Sequence, residues 1–138
     1  MSAPIADLPA FPPEPTLEDA PFWEAAAEDR LVLPRCLSCA TVIWYPRAFC
    51  AQCHSSSGVE WVSASGRGTV YSFTVSHRGM GPWSQHAPYV VAYVELEEGP
   101  RVLTNLVGAD LDALRIGDRV EAVFQPAGDT KVLRFRPA

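Results

Sequence analysis

No run of about eighteen apolar residues occurs in this 138-residue chain, so no segment reads as a membrane-spanning helix. Positive charge is scarce and scattered. Eleven basic residues stand against 16 acidic ones, for a net charge of −5, and the arginines (30, 35, 47, 67, 78, 101, 115, 119, 134 and 136) form no basic run. Non-specific affinity for a phosphate backbone rests on concentrated positive charge. The composition therefore argues against a nucleic-acid partner, short of a small basic face assembled only in three dimensions. Short catalytic motifs are missing too: there is no GxSxG elbow, no glycine-rich phosphate loop and no HExxH. Ser, His and Asp all occur, but no spacing fixes three of them as a triad. The opening MSAPIADLPAFPPEP lacks the basic start and apolar stretch of a secretory signal. That predicts a cytoplasmic protein, in which thiols stay reduced and four cysteines rarely mean two disulfides.

A chain of this length has room for one compact domain, or one with a small appendage. Its first fifteen residues hold five prolines and little hydrophobic periodicity. They read as an extended arm that is poorly ordered or orders on a partner. Residues 16–30 follow with a helix expected over about 20–29. Thr16 and Asp19 give an approximate start signal, Pro21 suits the first turn, and alanines and glutamates favour the helix. Residues 31–58 hold the cysteines. From 59 to the end the pattern is β: Tyr71, Phe73 and Val75 alternate with Ser72, Thr74 and Ser76, and Val90, Ala92, Val94 and Leu96 share one face. Glu-Glu-Gly-Pro joins two strand patterns as a hairpin, ADLDAL allows a helical turn, and AGDT turns between the last two strands. Five strands with a short helix between the third and fourth is the order of an OB-fold barrel, with an SH3-like barrel or small sandwich as the rival. The fold class expected is mainly β: short helix, small metal ribbon, five-stranded barrel.

Cys36-Leu-Ser-Cys39 and Cys50-Ala-Gln-Cys53 are separated by ten residues. Cys50, Cys53 and His54 also spell CxxCH, the signature of covalent haem attachment. Haem would require export to an oxidising compartment and would leave Cys36 and Cys39 without a role. Two CxxC knuckles instead turn four sulfurs inward, and the connecting TVIWYPRAF can bring the knuckles together around one tetrahedral Zn²⁺. A dithiol redox role is a weaker alternative, and His54 reads as a polar residue after the second knuckle. Four cysteine ligands close the coordination sphere, so the expected zinc is structural, one per chain.

The chain resembles the bacterial and archaeal zinc-ribbon plus OB-fold proteins, formerly a domain of unknown function, that accompany thiolase-like enzymes. The resemblance rests on APFWEAAAEDRLVLPRC, the two knuckles, VEWVSASGRGTVYSFTV, PYVVAYVELEEG, LTNLVG, and IGDRVEAVF with the closing RFRPA, covering residues 20–138. It implies a rubredoxin-like ribbon followed by an OB barrel. It also implies association with thiolases, hydroxymethylglutaryl-CoA synthase-like enzymes or thiolase-fold aldolases, including those that shorten steroid side chains. The metal positions carry over to Cys36, Cys39, Cys50 and Cys53, and no catalytic residue carries over.

Several side chains are candidates for partner or ligand contact. Phe22 and Trp23 are apolar anchors on the helix, unless they dock it on its own domain. Arg47 and Arg67 are placed to meet CoA phosphates, or are solvated surface arginines. His77 and His86 flank RGMGPWSQ, the longest irregular stretch inside the barrel, whose Trp83 either covers a ligand or tucks against the wall. The leading expectation is a non-catalytic subunit of a thiolase-fold enzyme, with a CoA thioester at the interface. The alternatives are a single-stranded nucleic-acid module, which needs a basic, aromatic strand face, and an enzyme acting alone on CoA thioesters.

Overall fold

The computed structural model describes residues 8–138, so the first seven residues of the proline arm lie outside the described residues. One helix, α1 (Ala20–Ala27), precedes seven strands: β1 (Val32–Cys36), β2 (Val59–Ser63), β3 (Arg67–Ser76), β4 (Tyr89–Leu96), β5 (Arg101–Leu106), β6 (Arg119–Ala127) and β7 (Thr130–Pro137). β1 and β2 form a separate antiparallel ribbon, and the other five close a barrel in the order β3-β4-β5-β7-β6. Relabelled within the barrel this is 1-2-3-5-4, closing back on 1, with the parallel contact between the third and fifth strands (Leu106 opposite Phe135). That is an OB-fold barrel.

The expected helix ends two residues early, and the reason is local. Asp29 takes a left-handed φ of 60°, Asp29 N–H donates to the Ala26 carbonyl and Arg30 N–H to the Ala25 carbonyl. These two bonds form a Schellman cap, with aspartate where glycine is commonest. At the other end Asp19 does not cap the helix with its side chain. Its carboxylate instead accepts the Thr16 amide at 2.6 Å, the Thr16 hydroxyl at 3.0 Å and the Tyr45 hydroxyl at 2.7 Å. The start signal is therefore a turn that also ties helix to ribbon.

Two β expectations shift. Residues 59–63, grouped with the barrel on sequence, pair with β1, so the barrel begins at Arg67. In β3 the register with β4 slips between Val70 and Ser72. This bulge turns Val70 inward and leaves Tyr71 exposed, while Phe73 and Val75 still face the core. On β4 the face Val90, Ala92, Val94, Leu96 is buried as its alternation requires. One apolar cluster joins barrel residues such as Val94, Val120 and Phe135 to Phe22, Ala26, Leu31 and Leu33. Helix, ribbon base and barrel thus share a core.

The start of the described arm, Leu8 and Pro9, lies on the chain's own barrel. Leu8 is buried against Val107 and Val123, its carbonyl accepts from Gln125, and the Pro9 carbonyl accepts from Arg134 Nη2 at 2.9 Å. Arg134 also donates to Asn105 at 3.1 Å and Gln125 at 3.2 Å, bridging the sparsely paired β5–β7 seam. Burial pushes its guanidinium pKa down.

Candidate metal centre

Cys36 ends β1, and a tight turn brings Cys39 back beside it. Cys50 and Cys53 approach from the long connection before β2. The two knuckles are built alike. After each second cysteine stands a residue with left-handed φ, Ala40 at 64° and His54 at 62°. Each donates its N–H to the carbonyl of the first cysteine of its pair, Ala40 to Cys36 at 2.9 Å and His54 to Cys50 at 3.0 Å. His54 therefore holds the backbone position that Ala40 holds in the first knuckle, and the turn does not call on its imidazole.

The four Sγ atoms all lie within 4.8 Å of one another, with Cys36–Cys53 and Cys39–Cys50 each at 3.7 Å. A tetrahedral zinc with Zn–S of about 2.3 Å requires sulfurs about 3.8 Å apart. The donor set and its spacing fit Zn²⁺, and among the described residues no other cluster of this kind occurs. No disulfide links the four. Cys36 and Cys50 are buried with Ile43 in a small cluster, while Cys39 and Cys53 reach the surface.

The thiols differ in acidity because their neighbours differ. The Thr41 hydroxyl and then its amide lower Cys39 to about 6. The Cys39 backbone amide, against some desolvation, lowers Cys36. For Cys53 the Ser55 amide pulls downward, but desolvation and the three neighbouring thiols prevail and push it up to about 11. Four sulfurs this close do not all ionise without a cation among them, and a divalent metal is the charge that reconciles them.

The other candidate residues do not converge on one site. Phe22 is only 1% exposed and meets Trp23, Trp44 and Tyr45, so it is a core residue and not a partner anchor. Trp23 is half-buried and lines a surface groove with the proline arm. Arg47 is exposed on the ribbon and donates to the Tyr45 carbonyl. Arg67 opens the barrel and is gripped by both oxygens of Glu97 at 3.0 and 3.2 Å, which raises its pKa further. The two arginines therefore lie on different units, one already neutralised. Trp83 sits 4.7 Å from Tyr89 against the Leu8 cluster, so it packs on the barrel wall. His77 is exposed and His86 half-buried beside a small groove with Leu8 and Tyr89.

Sequence reasoning missed one surface. Tyr71, Tyr93 and Leu103 are exposed on the outer wall of β3–β5, with Tyr93 directly opposite Leu103. Arg101 stacks 3.9 Å over Tyr71 and pairs with Glu95 at 3.0 Å. The face is aromatic but not basic, since its arginine is already paired. Outward Tyr71 was hidden because a bulge leaves no trace in an alternating pattern.

Comparison with known proteins places these features in context. Residues 23–60 match the family described as the ChsH2 rubredoxin-like zinc ribbon domain, and residues 61–125 the ChsH2 C-terminal OB-fold domain. A DUF35 domain-containing scaffold protein of Methanothermobacter thermautotrophicus is 41% identical over 66% of this chain and 68% of its own length. A probable enoyl-CoA hydratase alpha subunit of Thermomonospora curvata is 42% identical over 94% of this chain. The 3-oxo-4,17-pregnadiene-20-carboxyl-CoA hydratase alpha subunit of Mycobacterium tuberculosis is 33% identical over 91%. This chain spans only 41% and 39% of those two alpha subunits. Among solved structures, a chain of the Ltp2-ChsH2(DUF35) aldolase superposes with a TM-score of 0.77 at 40% identity, over 91% of this chain and 98% of that one.

Proposed function

Because the chain belongs to the DUF35 family, in which a rubredoxin-like zinc ribbon precedes an OB-fold barrel, we propose that it is the non-catalytic subunit of a thiolase-fold enzyme acting on acyl-CoA thioesters. The observation that carries this reading is the match at 40% identity along 98% of a chain from the Ltp2-ChsH2(DUF35) aldolase. The internal chemistry agrees with it. Cys36, Cys39, Cys50 and Cys53 hold one Zn²⁺ as a complete thiolate set, an arrangement characteristic of structural sites. When bound, the metal supplies a four-point cross-link for a ribbon with little apolar core of its own. In this reading bond cleavage belongs to the partner.

The partner reaction we favour is retro-aldol cleavage of a steroid-type side chain carried as its CoA thioester. Support comes from the aldolase named for the structural relative and the pregnadiene thioester named for the mycobacterial one. The complex works in the cytoplasm, with the thioester near the subunit interface. Co-expression with a thiolase-fold enzyme from the same genome, followed by size exclusion and an aldolase assay, tests this. The complex should elute as one species and cleave substrate, and this chain alone should not. A partner equally soluble and active by itself, or turnover by the isolated chain, would sink the reading.

A further inference from the structure

The proline arm, the outer side of α1 and the β6–β7 turn enclose a groove of about 650 Å³, a size that accommodates a small ligand or a few residues of peptide. Pro12, Pro13, Trp23 and Ala27 make its apolar lining, and Glu24 and Asp129 stand on its rim. Its walls are set in advance. Gln125 and Arg134 pin the arm through the carbonyls of Leu8 and Pro9, Thr130 donates to the Trp23 carbonyl at 2.7 Å, and Pro12 lies against Gly128.

The charged residues that line the groove, Glu24, Glu28 and Asp129, are all acidic, and nearby Lys131 is paired with Asp29. Residues 14–29 contain Glu14, Glu18, Asp19, Glu24, Glu28 and Asp29 and no basic residue. Among the described residues, Glu24 and Asp129 have no cationic partner, while Glu28 has an exposed pair with Arg30. An indole flanked by carboxylates complements a planar, weakly hydrated cation, which stacks on the ring and pairs with the acids. Guanidinium meets that description better than ammonium.

We propose that this groove receives an arginine-bearing segment of the protein partner, its guanidinium over Trp23 and between Glu24 and Asp129. That the occupant is a protein rests on the subunit reading above; the charge and shape of the groove do not.

Two measurements separate the two claims. In the first, the affinity of the co-expressed thiolase-fold partner is measured for the wild type, for Glu24→Lys/Asp129→Lys, for Trp23→Leu, and for Asp112→Lys on another exposed surface. The groove variants should bind at least about tenfold more weakly and lose their salt dependence, with the Asp112 variant near wild type. Equal weakening by groove and control variants, or none, would overturn the proposal. The second is an NMR titration of the isolated chain with a short capped oligoarginine peptide and its oligocitrulline counterpart. Oligoarginine should shift the Trp23 indole N–H and the Ala27 and Thr130 amides, and the Glu24→Lys/Asp129→Lys variant should not respond. Equal shifts with citrulline, or shifts scattered over all acidic surfaces, would overturn it. Peptide binding without partner assembly would sink the subunit reading alone.

Discussion

At Ala40 the backbone sits at a φ of 64°, where an L-residue is held about 1–2 kcal/mol above its right-handed alternative. Glycine escapes that cost, so Ala40→Gly should stabilise the metal-loaded ribbon by about 1 kcal/mol, and Ala40→Val should weaken it. Thermal unfolding in a chelator series would read both, and a lower midpoint for the glycine variant would contradict this account of the knuckle. The Asp19–Tyr45 bond is the second residue-scale test. Burial first, then the Asp19 carboxylate, pushes the Tyr45 phenol from 10 up to about 12. A group whose folded pKa is raised contributes stability that is fully present below its unfolded value and lost as pH rises through its folded one. The stability Tyr45 adds should therefore fade between about pH 10 and 12. Burial of Asp19 alone would raise its carboxyl, but the Thr16 amide and the Tyr45 hydroxyl prevail and hold it low. Its contribution is present above the ordinary carboxylate range and lost as pH falls through its depressed value. Phenolate absorbance should show one late-titrating tyrosine that falls back part of the way in Asp19→Asn. At this scale the sequence disclosed the four thiols, because metal chemistry ties residue type to short spacing. It hid Ala40, because alanine carries no signal for a left-handed backbone.

Elements were legible wherever local pattern and tertiary partner agree. The β4 face, the Glu-Glu-Gly-Pro hairpin and the closing strands all read correctly, since alternation and turn chemistry are local. The misplaced edges share one cause, which is that the deciding contact lies elsewhere in the chain. β2 was assigned to the barrel because its pairing with β1 spans the whole cysteine segment. Tyr71 shares an alternating face with Phe73 and Val75 on sequence but lies exposed, because the register slip against β4 is invisible in β3 alone. The end of α1 was placed late because helix-favouring residues continue past Ala27, whereas the Schellman bonds through Asp29 stop it. That stop makes a prediction. Asp29→Gly should be tolerated, since glycine suits the angle and the lost pair with Lys131 is exposed. Asp29→Val should cost about 1–2 kcal/mol, because a β-branched residue resists φ near 60°. Urea midpoints of the two variants decide it, and equal values would mean the cap does not set the helix end.

For the whole molecule the question is how far ribbon and barrel stand or fall together, and the two cores answer it. Cys36, Ile43 and Cys50 form a small cluster with Val59, apart from the large one. Phe22, Leu31 and Leu33 belong to the barrel's own cluster. The metal end of the ribbon should therefore open without the barrel, and the helix should not. Stripping the metal with a chelator should cost residues 36–58 their amide protection while β3 to β7 keep theirs. Phe22→Ala should act differently, because the side chain is 1% exposed at the joint of all three units. A loss of about 3–5 kcal/mol is expected there, spread over every barrel strand. Removing the arm together with the helix should behave likewise, since it takes Phe22 away and also uncovers Leu8's seat against Val107 and Val123. Hydrogen exchange on the metal-free protein and on the Phe22 variant separates the two modes. If chelation abolishes protection in β6 and β7, or if Phe22→Ala disturbs the ribbon alone, then zinc and not the shared apolar core holds the molecule together.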